Sequence, residues 1–386
     1  MVPLSNARGW NTSPFAMSDA IYCLPKGSRI LVTGGNGYIA SNVTQVLLEL
    51  GLKVRGTVRA PKPWLDEMFK ARFGHNSFDS VVLANFDDID AILGVMEDVR
   101  GVAHVNMWVY TGIRCEPRRR PQASHILGRQ GSPECSGSCV ETALCPTGCV
   151  DILGCLSNNL SPTKELLLYV KASSYYSLLE GIGTTTYNYL LLHIIDTWND
   201  EAVRSALDPN TPEDLKGFLG YCASKTESEK AAWKWVEQNH PHFQFNTVLP
   251  SYTFGRVLHE RINGSTMGWV RGLLSGNRQI FETYIPHYVV DVVDVARLHA
   301  VALLNPNVTS QRLFGHASPL NLTEIITILR RLRPDNDQIP DAPEDDWHDQ
   351  SIILPAKRAE KLLQEFFGKE GWTSAEDSIA QGIRGC

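Results

Sequence analysis

Two short stretches of this chain combine residue types and spacings that can do chemistry. In Tyr221-Cys222-Ala223-Ser224-Lys225 a phenol and an ammonium stand four positions apart, which on a helix puts both on one face. A cation beside a phenol lowers its pKa from about 10, making it a usable general acid near neutral pH. The same lysine can hold ribose hydroxyls, and a serine hydroxyl from elsewhere can steady a carbonyl oxygen as charge develops on it. Alone, the spacing also fits an exposed helix surface. The second stretch is Thr33-Gly34-Gly35-Asn36-Gly37-Tyr38-Ile39-Ala40. It holds two overlapping patterns, Gly34-x-x-Gly37-x-x-Ala40 and Gly35-x-Gly37-x-x-Ala40. In both, glycines let the backbone turn tightly against a pyrophosphate facing the N-terminus of the next helix. Ala40 is small enough for that helix to pack on its strand. A plain tight turn would need the same glycines, but a strand before and a helix after are the context of a dinucleotide site.

The elements that must position these groups follow from periodicity. Residues 28–33 read as a short buried strand. A helix follows with apolar residues at Val43, Val46, Leu47 and Leu50, and Gly51 stops it. Residues 53–58 and 80–83 read as strands, 89–99 as a helix and 101–105 as a fourth strand. Strands alternating with helices at this pace predict βαβ units and a parallel sheet. Further on, 166–170 reads as a strand leading into Ala172-Ser173-Ser174, 221–237 as a helix, and 244–249 as a buried strand ended by Pro250. The acidic run 335–349 reads as a solvated surface loop. The second strand bears on the cofactor. NAD calls for an acidic residue there to hold the ribose 2′-hydroxyl, and KVRGTVR (53–59) has none. It ends in Arg59, with Lys62 shortly after, and a guanidinium suits the 2′-phosphate of NADP(H). A solvated basic turn is the competing reading of those two cations.

Composition excludes several classes. The chain has 386 residues, 43% of them hydrophobic and 20% charged, enough for one large α/β domain with a smaller lobe and too apolar for disorder. Its longest apolar run, around 189–195, is strand-sized, well short of the roughly 18–20 residues of a membrane span. A net charge of -6 argues against nucleic-acid binding. No basic stretch leads into an apolar core at the N-terminus, so a signal peptide is not expected and a cytoplasmic location is. Six of nine cysteines fall between Cys115 and Cys155.

With both motifs in place, the chain resembles the extended short-chain dehydrogenase/reductases. Within them it looks like the NADPH-dependent aldehyde and ketone reductases related to dihydroflavonol reductase, the fungal branch in particular. The carrying segments are 25–59, 101–105 (GVAHV), 197–203 (TWNDEAV), 221–233 (YCASKTESEKAAW), 247–255 (TVLPSYTFG), 288–304 (YVVDVVDVARLHAVALL) and 368–374 (GKEGWTS). The resemblance implies a Rossmann-type doubly wound parallel sheet with a smaller C-terminal substrate-binding lobe. It implies that Tyr221 donates the proton and that Lys225 activates it and holds the ribose. The family's serine, in a Thr-Ser-Ser pattern at the end of the fifth strand, corresponds to Ser174, with Ser173 as the alternative. Gly34, Gly37, Tyr38, Ile39, Arg59 and Lys62 would hold the NADP(H) phosphates. Asn85 stands beside the adenine where the family often has an acid, and Pro250 and Ser251 line the nicotinamide side. Asp291, Asp294 and His299 read as capping and packing residues. The substrate is a small-molecule carbonyl compound whose pocket is expected among 252–288; no metal is expected, and the oligomeric state is open.

Residues 106–162 depart from the family, which has an amphipathic helix after the fourth strand. The stretch has Arg118-Arg119-Arg120-Pro121, no lysine and six cysteines. A surface insertion, a metal knuckle and a non-natural translation from a shifted frame or retained intron compete, and composition favours the last. Met17 as the natural start is its companion expectation. The resulting division is 1–20 as an extension, 21–256 as the NADP-binding domain with 106–165 aberrant, and 257–386 as mainly the substrate-binding lobe. NADPH-dependent reduction of an aldehyde or ketone is the expected activity. A nucleotide-sugar epimerase, a hydroxysteroid dehydrogenase, or a cofactor-binding homologue disabled by the aberrant segment are the alternatives.

Overall fold

In the computed structural model of the chain, residues 22–86, 88–105, 167–171 and 192–386 are described. The first half runs β1 (Arg29–Val32), α1 (Tyr38–Glu49), β2 (Lys53–Val58), α2 (Pro63–Phe73), β3 (Phe78–Val82), α3 (Ile89–Val95), β4 (Val99–His104) and β5 (Leu167–Lys171). Then come β6 (Leu192–His193), α4 (Asp200–Leu207), α5 (Glu213–Asn239), β7 (Phe245–Pro250), β8 (Tyr252–Phe254), α6 (Thr266–Leu273) and α7 (Ile280–Thr283). The chain ends with β9 (His287–Asp291), α8 (Val292–Leu304), β10 (Arg312–Gly315), β11 (Ser318–Leu320), α9 (Leu322–Leu332), β12 (Ile352–Ile353), α10 (Ala356–Phe367) and α11 (Ala375–Gly382).

Alternation inside single strands dictates the layers. Ile30 and Val32 of β1 join one buried cluster and Leu31 joins another, as a strand covered on both faces requires. The first cluster takes Val43, Val46 and Leu47 of α1 and Val295, Leu298 and Ala302 of α8; the second takes Ile92 of α3 and Ala232 of α5, with Trp233 and Val236 packed on it. The sheet between them has seven strands in the order β10-β7-β5-β4-β1-β2-β3, and every pairing is parallel. This is the expected doubly wound α/β architecture. The order reverses between β1 and β4, so a crevice opens at their C-terminal ends, where ligands of such sheets bind.

α5 is longer than the 221–237 pattern suggested. Its first turn carries Glu213 and Asp214 after Pro212, acids that favour a helix N-terminus. It stops at His240, whose backbone is left-handed. A second sheet joins β8, β9 and β11, with β8 parallel and β11 antiparallel to β9; α6 packs on β8, and α11 against β8 and β9. Asp291, at the end of β9, caps α8 by accepting the Val293 N–H at 2.8 Å, and the buried His299 ring bonds the Val295 carbonyl at 2.7 Å.

The acidic run 335–349 is not simply a solvated loop. Ile339 is buried, Asp346 accepts the Thr323 N–H at the start of α9, and Asp349 is buried in a 3.0 Å pair with His287. Charge density suggested solvent, but two of these acids have fixed partners on other elements. Among the described residues no helix is long and apolar enough to cross a membrane.

Candidate active site

The glycine turn crosses the top of β2. Gly34 has a φ of 65°, which only glycine adopts without strain. Its N–H donates to Thr57 Oγ1 at 3.1 Å, and the Gly35 N–H donates to the Thr57 carbonyl at 2.8 Å. A Cβ on Gly35 would stand 3.1 Å from Gly56 Cα, so the turn lies against β2 only because both residues are bare. α1 then starts at Gly37 with no side-chain cap and no acidic residue in its first turn. An uncapped helix N-terminus behind a glycine turn fits a pyrophosphate. Tyr38 and Ile39 are buried, so their backbones, not their side chains, face the turn. The Tyr38 phenol donates to the Gly255 carbonyl at 2.9 Å. Burial and the nearby Asp291 push that phenol well above the ordinary range, so it remains a donor and pins α1 to the loop after β8.

Arg59 is exposed, one residue past the end of β2, and Lys62 is half-buried at the start of α2. Arg55, on the same strand, has a structural job: it pairs with Asp79 at 2.9 Å and donates to the carbonyls of Val95 and Glu97. Asn85 is exposed after β3, and next to it Phe86 is buried with its ring edge-on to His104 at 5.9 Å.

Tyr221 and Lys225 share a face of α5, both half-buried, with the ammonium 5.9 Å from the ring centroid. The residues between them serve the helix. Ser224 donates to the Tyr221 carbonyl, and Cys222 is a buried thiol that desolvation pushes up to about 12, too inert for a nucleophile. Across the crevice, His104 ends β4. Its Nδ1 lies 3.2 Å from the Thr33 hydroxyl, which also accepts the Val105 N–H at 2.9 Å. Burial, and then the charge of Lys225, push this imidazole down to about 4. The reach of the Lys225 charge to His104, which is bonded to Thr33, supports a place for α5 near the C-terminal ends of β1 and β4. The sequence marks GVAHV only as a segment of resemblance and not His104 as a site residue, although a polar residue closing a buried parallel strand is a readable signal.

Pro250 ends β7. Ser251 next to it bonds the Gly315 carbonyl through its N–H at 3.0 Å and turns its hydroxyl onto the Tyr288 carbonyl. Ser173 and Ser174 lie outside the described residues, just after β5 ends at Lys171 between β4 and β7. Of the residues expected to line the substrate pocket, Tyr252 and Tyr284 stack in the interior, centroids 5.0 Å apart, and Tyr284 donates to the Leu320 carbonyl.

Behind Ser251 stand more buried imidazoles. His287 lies 6.0 Å from His316 between ring centroids. Burial, then the charge of His287, hold both His316 and His193 below the ordinary histidine range. With His104 this makes three imidazoles that take up a proton less readily in the folded state than in the unfolded chain. A depressed histidine adds nothing above pH of about 6.5, but below it the unfolded chain binds protons the folded chain does not, so stability falls by up to about 1.4 kcal/mol per pH unit per group. The melting temperature is therefore expected to drop steadily from pH 7 to pH 5 in differential scanning calorimetry, and less steeply in His104→Gln. A flat melting temperature over that window would contradict it.

No family model matches the chain. A ketoreductase of Aspergillus novofumigatus is 38% identical over 368 residues, spanning 95% of this chain and 99% of its own length. Aldehyde reductase 2 of Sporidiobolus salmonicolor is 31% identical over 360 residues, spanning 92% of this chain and 95% of its own. Among solved structures, the yeast methylglyoxal/isovaleraldehyde reductase Gre2, complexed with NADPH, superposes with a TM-score of 0.64 over 92% of this chain and 96% of that one, at 23% identity.

Proposed function

The chain belongs to the extended short-chain dehydrogenase/reductase family, and from that premise we propose that it is an NADPH-dependent reductase of aldehydes or ketones. The observation that carries the reading is Tyr221 and Lys225 on one face of α5, with the Lys225 charge reaching His104 at the end of β4, whose ring lies 3.2 Å from the hydroxyl of Thr33 at the start of the glycine turn. The relatives named ketoreductase and aldehyde reductase support the reaction class.

The cofactor, when bound, supplies the hydride to the carbonyl carbon. The backbone of the glycine turn and the first turn of α1 hold its pyrophosphate. Lys225 takes the ribose hydroxyls and keeps a positive charge beside Tyr221. Tyr221 gives its phenolic proton to the carbonyl oxygen as that oxygen gains charge. Ser174 donates a hydrogen bond to the same oxygen. The product is the alcohol, and the Tyr221 proton is replaced from solvent. Tyr38 and Tyr252 are unsuited to that role, because burial raises both phenols and their hydroxyls serve the backbone.

Arg59 selects NADPH by pairing with the 2′-phosphate at the end of β2. The test is Arg59→Ala, assayed as kcat/KM with NADPH and with NADH. A lost hydrogen bond to a charged group, at about 1.5–3 kcal/mol, should reduce the preference for NADPH by roughly 10–100-fold with little change toward NADH. An unchanged ratio would remove Arg59 from the site.

A further inference from the structure

Glu229 lies on α5 four residues beyond Lys225 and eight beyond Tyr221, and it is buried at 2% exposure. Its carboxylate is fully engaged. Oε1 accepts from the Thr247 hydroxyl at 2.7 Å, from Arg312 Nε at 2.9 Å and from Trp233 Nε1 at 3.2 Å; Oε2 accepts from Arg312 Nη2 at 3.0 Å. The fork of Arg312 is bonded further, since Nη1 donates to the carbonyls of Ile195 and Thr197. The Trp198 ring covers the guanidinium at 3.8 Å. Thr247 and Arg312 are opposite each other on β7 and β10, so one carboxylate joins the catalytic helix to two strands of the sheet.

The contacts along α5 give its register. Trp233 meets Phe245 with ring centroids 4.6 Å apart, and Glu229 meets Thr247. The helix therefore runs opposite to β7, four helical residues matching two strand residues, as rises of about 1.5 Å and about 3.3 Å require. The same progression sets Lys225 level with Leu249 and Tyr221 level with Ser251. Apolar packing, through Ala232, Trp233, Trp235 and Val236 among others, is non-directional and resists sliding of α5 along the sheet only weakly. A bidentate, charge-assisted bond is directional and does stop it.

We infer that Glu229, clamped by Arg312 and Thr247, is a positioning residue that fixes α5 lengthwise and so sets Lys225 at the level of Leu249 and Tyr221 at the level of Ser251. The inference rests on the reductase reading, and a shift of about 1 Å at the reacting centre is enough to cost about 100-fold in rate.

Glu229→Gln and Thr247→Val test it, with Leu329→Ala as a destabilised control whose buried side chain is in α9, away from the crevice. Turnover is followed by NADPH oxidation with a panel of aldehydes and ketones, and NADPH affinity by fluorescence titration. The expected result for Glu229→Gln is kcat lower by about 10–100-fold, with the substrate KM nearly unchanged and the NADPH Kd several-fold higher through Lys225. Thr247→Val, which removes one donor and leaves the ion pair, shows the same split at about 3–10-fold. Leu329→Ala lowers the melting temperature without moving kcat. Wild-type kcat and NADPH Kd in both variants would overturn the inference, since a carboxylate that only stabilises the fold leaves the folded enzyme intact. Should Glu229→Gln fail to fold, Thr247→Val decides. If the wild type reduces no carbonyl compound, the reductase reading falls by itself, and the NADPH Kd of the variants still decides whether Glu229 positions Lys225.

Discussion

Tyr221→Phe is expected to lower kcat for carbonyl reduction by about 10²–10⁴-fold, the span covered by loss of a positioned general acid. The ring is retained, so its contact with Lys225, 5.9 Å away, survives and only the phenolic proton is lost. NADPH affinity should stay within about threefold of wild type, because a proton used only in the transition state contributes little to ground-state binding. Lys225→Met should differ in kind. It removes both the cation beside the phenol and the ribose contact, so kcat falls and the NADPH Kd rises together. Measuring kcat, substrate KM and NADPH Kd for the three proteins separates the roles. Undiminished turnover in Tyr221→Phe would sink the assignment, because Tyr38 and Tyr252 are both held protonated in the interior and Cys222 is too weakly acidic to substitute.

The difference between Tyr221 and those two tyrosines also shows what could be read from residues in order. A phenol and an ammonium at helical spacing is a local pattern, and so is a glycine turn between a strand and a helix. Both could be named without coordinates, as could the βαβ alternation that makes the sheet parallel. What stayed hidden is contact between distant segments. Thr33 meets His104 across 71 residues, His287 meets Asp349 across 62, and Glu229 meets Arg312 across 83. No periodicity encodes these pairs, because each partner looks ordinary on its own element. An acid inside a charged helix and an arginine opening a strand carry no local mark of a buried ion pair. Most of 335–349 is exposed or half-exposed, as its charge density predicts, and the reading fails where Asp349 is buried against His287 and Asp346 accepts the Thr323 N–H.

Asp294 is the strongest case of a residue whose sequence context understates it, and replacing it is expected to cost about 3–5 kcal/mol, the usual result of leaving buried partners unpaired. Placed one turn into α8, it reads as a capping or packing acid. It has no exposed surface, and its Oδ1 accepts from Lys369 Nζ at 2.5 Å and from Arg297 Nη1 at 3.2 Å, while Oδ2 accepts the Thr373 N–H at 2.7 Å. Lys369 also donates to the Thr373 hydroxyl at 2.7 Å. One carboxylate thus folds the link between α10 and α11 back onto the helix that underlies the main sheet. Asp294→Ala removes the carboxylate acceptor of Lys369, of Arg297 and of the Thr373 N–H. Asp294→Asn keeps the shape but presents an N–H₂ to one of those donors, so its cost should be intermediate. The check is urea unfolding of both variants with Lys369→Met and the double variant Asp294→Ala/Lys369→Met. Because the two side chains share one bond, the double variant should be less destabilised than the sum of the singles. A cost below about 1 kcal/mol for Asp294→Ala would mean that water replaces the carboxylate at this site. The active site gives an independent reading. Asp294 touches neither the glycine turn nor α5, so the folded fraction of Asp294→Ala should retain wild-type kcat at low temperature. Lost stability with unchanged kcat is the signature of a residue that holds the link between α10 and α11 in place and takes no part in the chemistry.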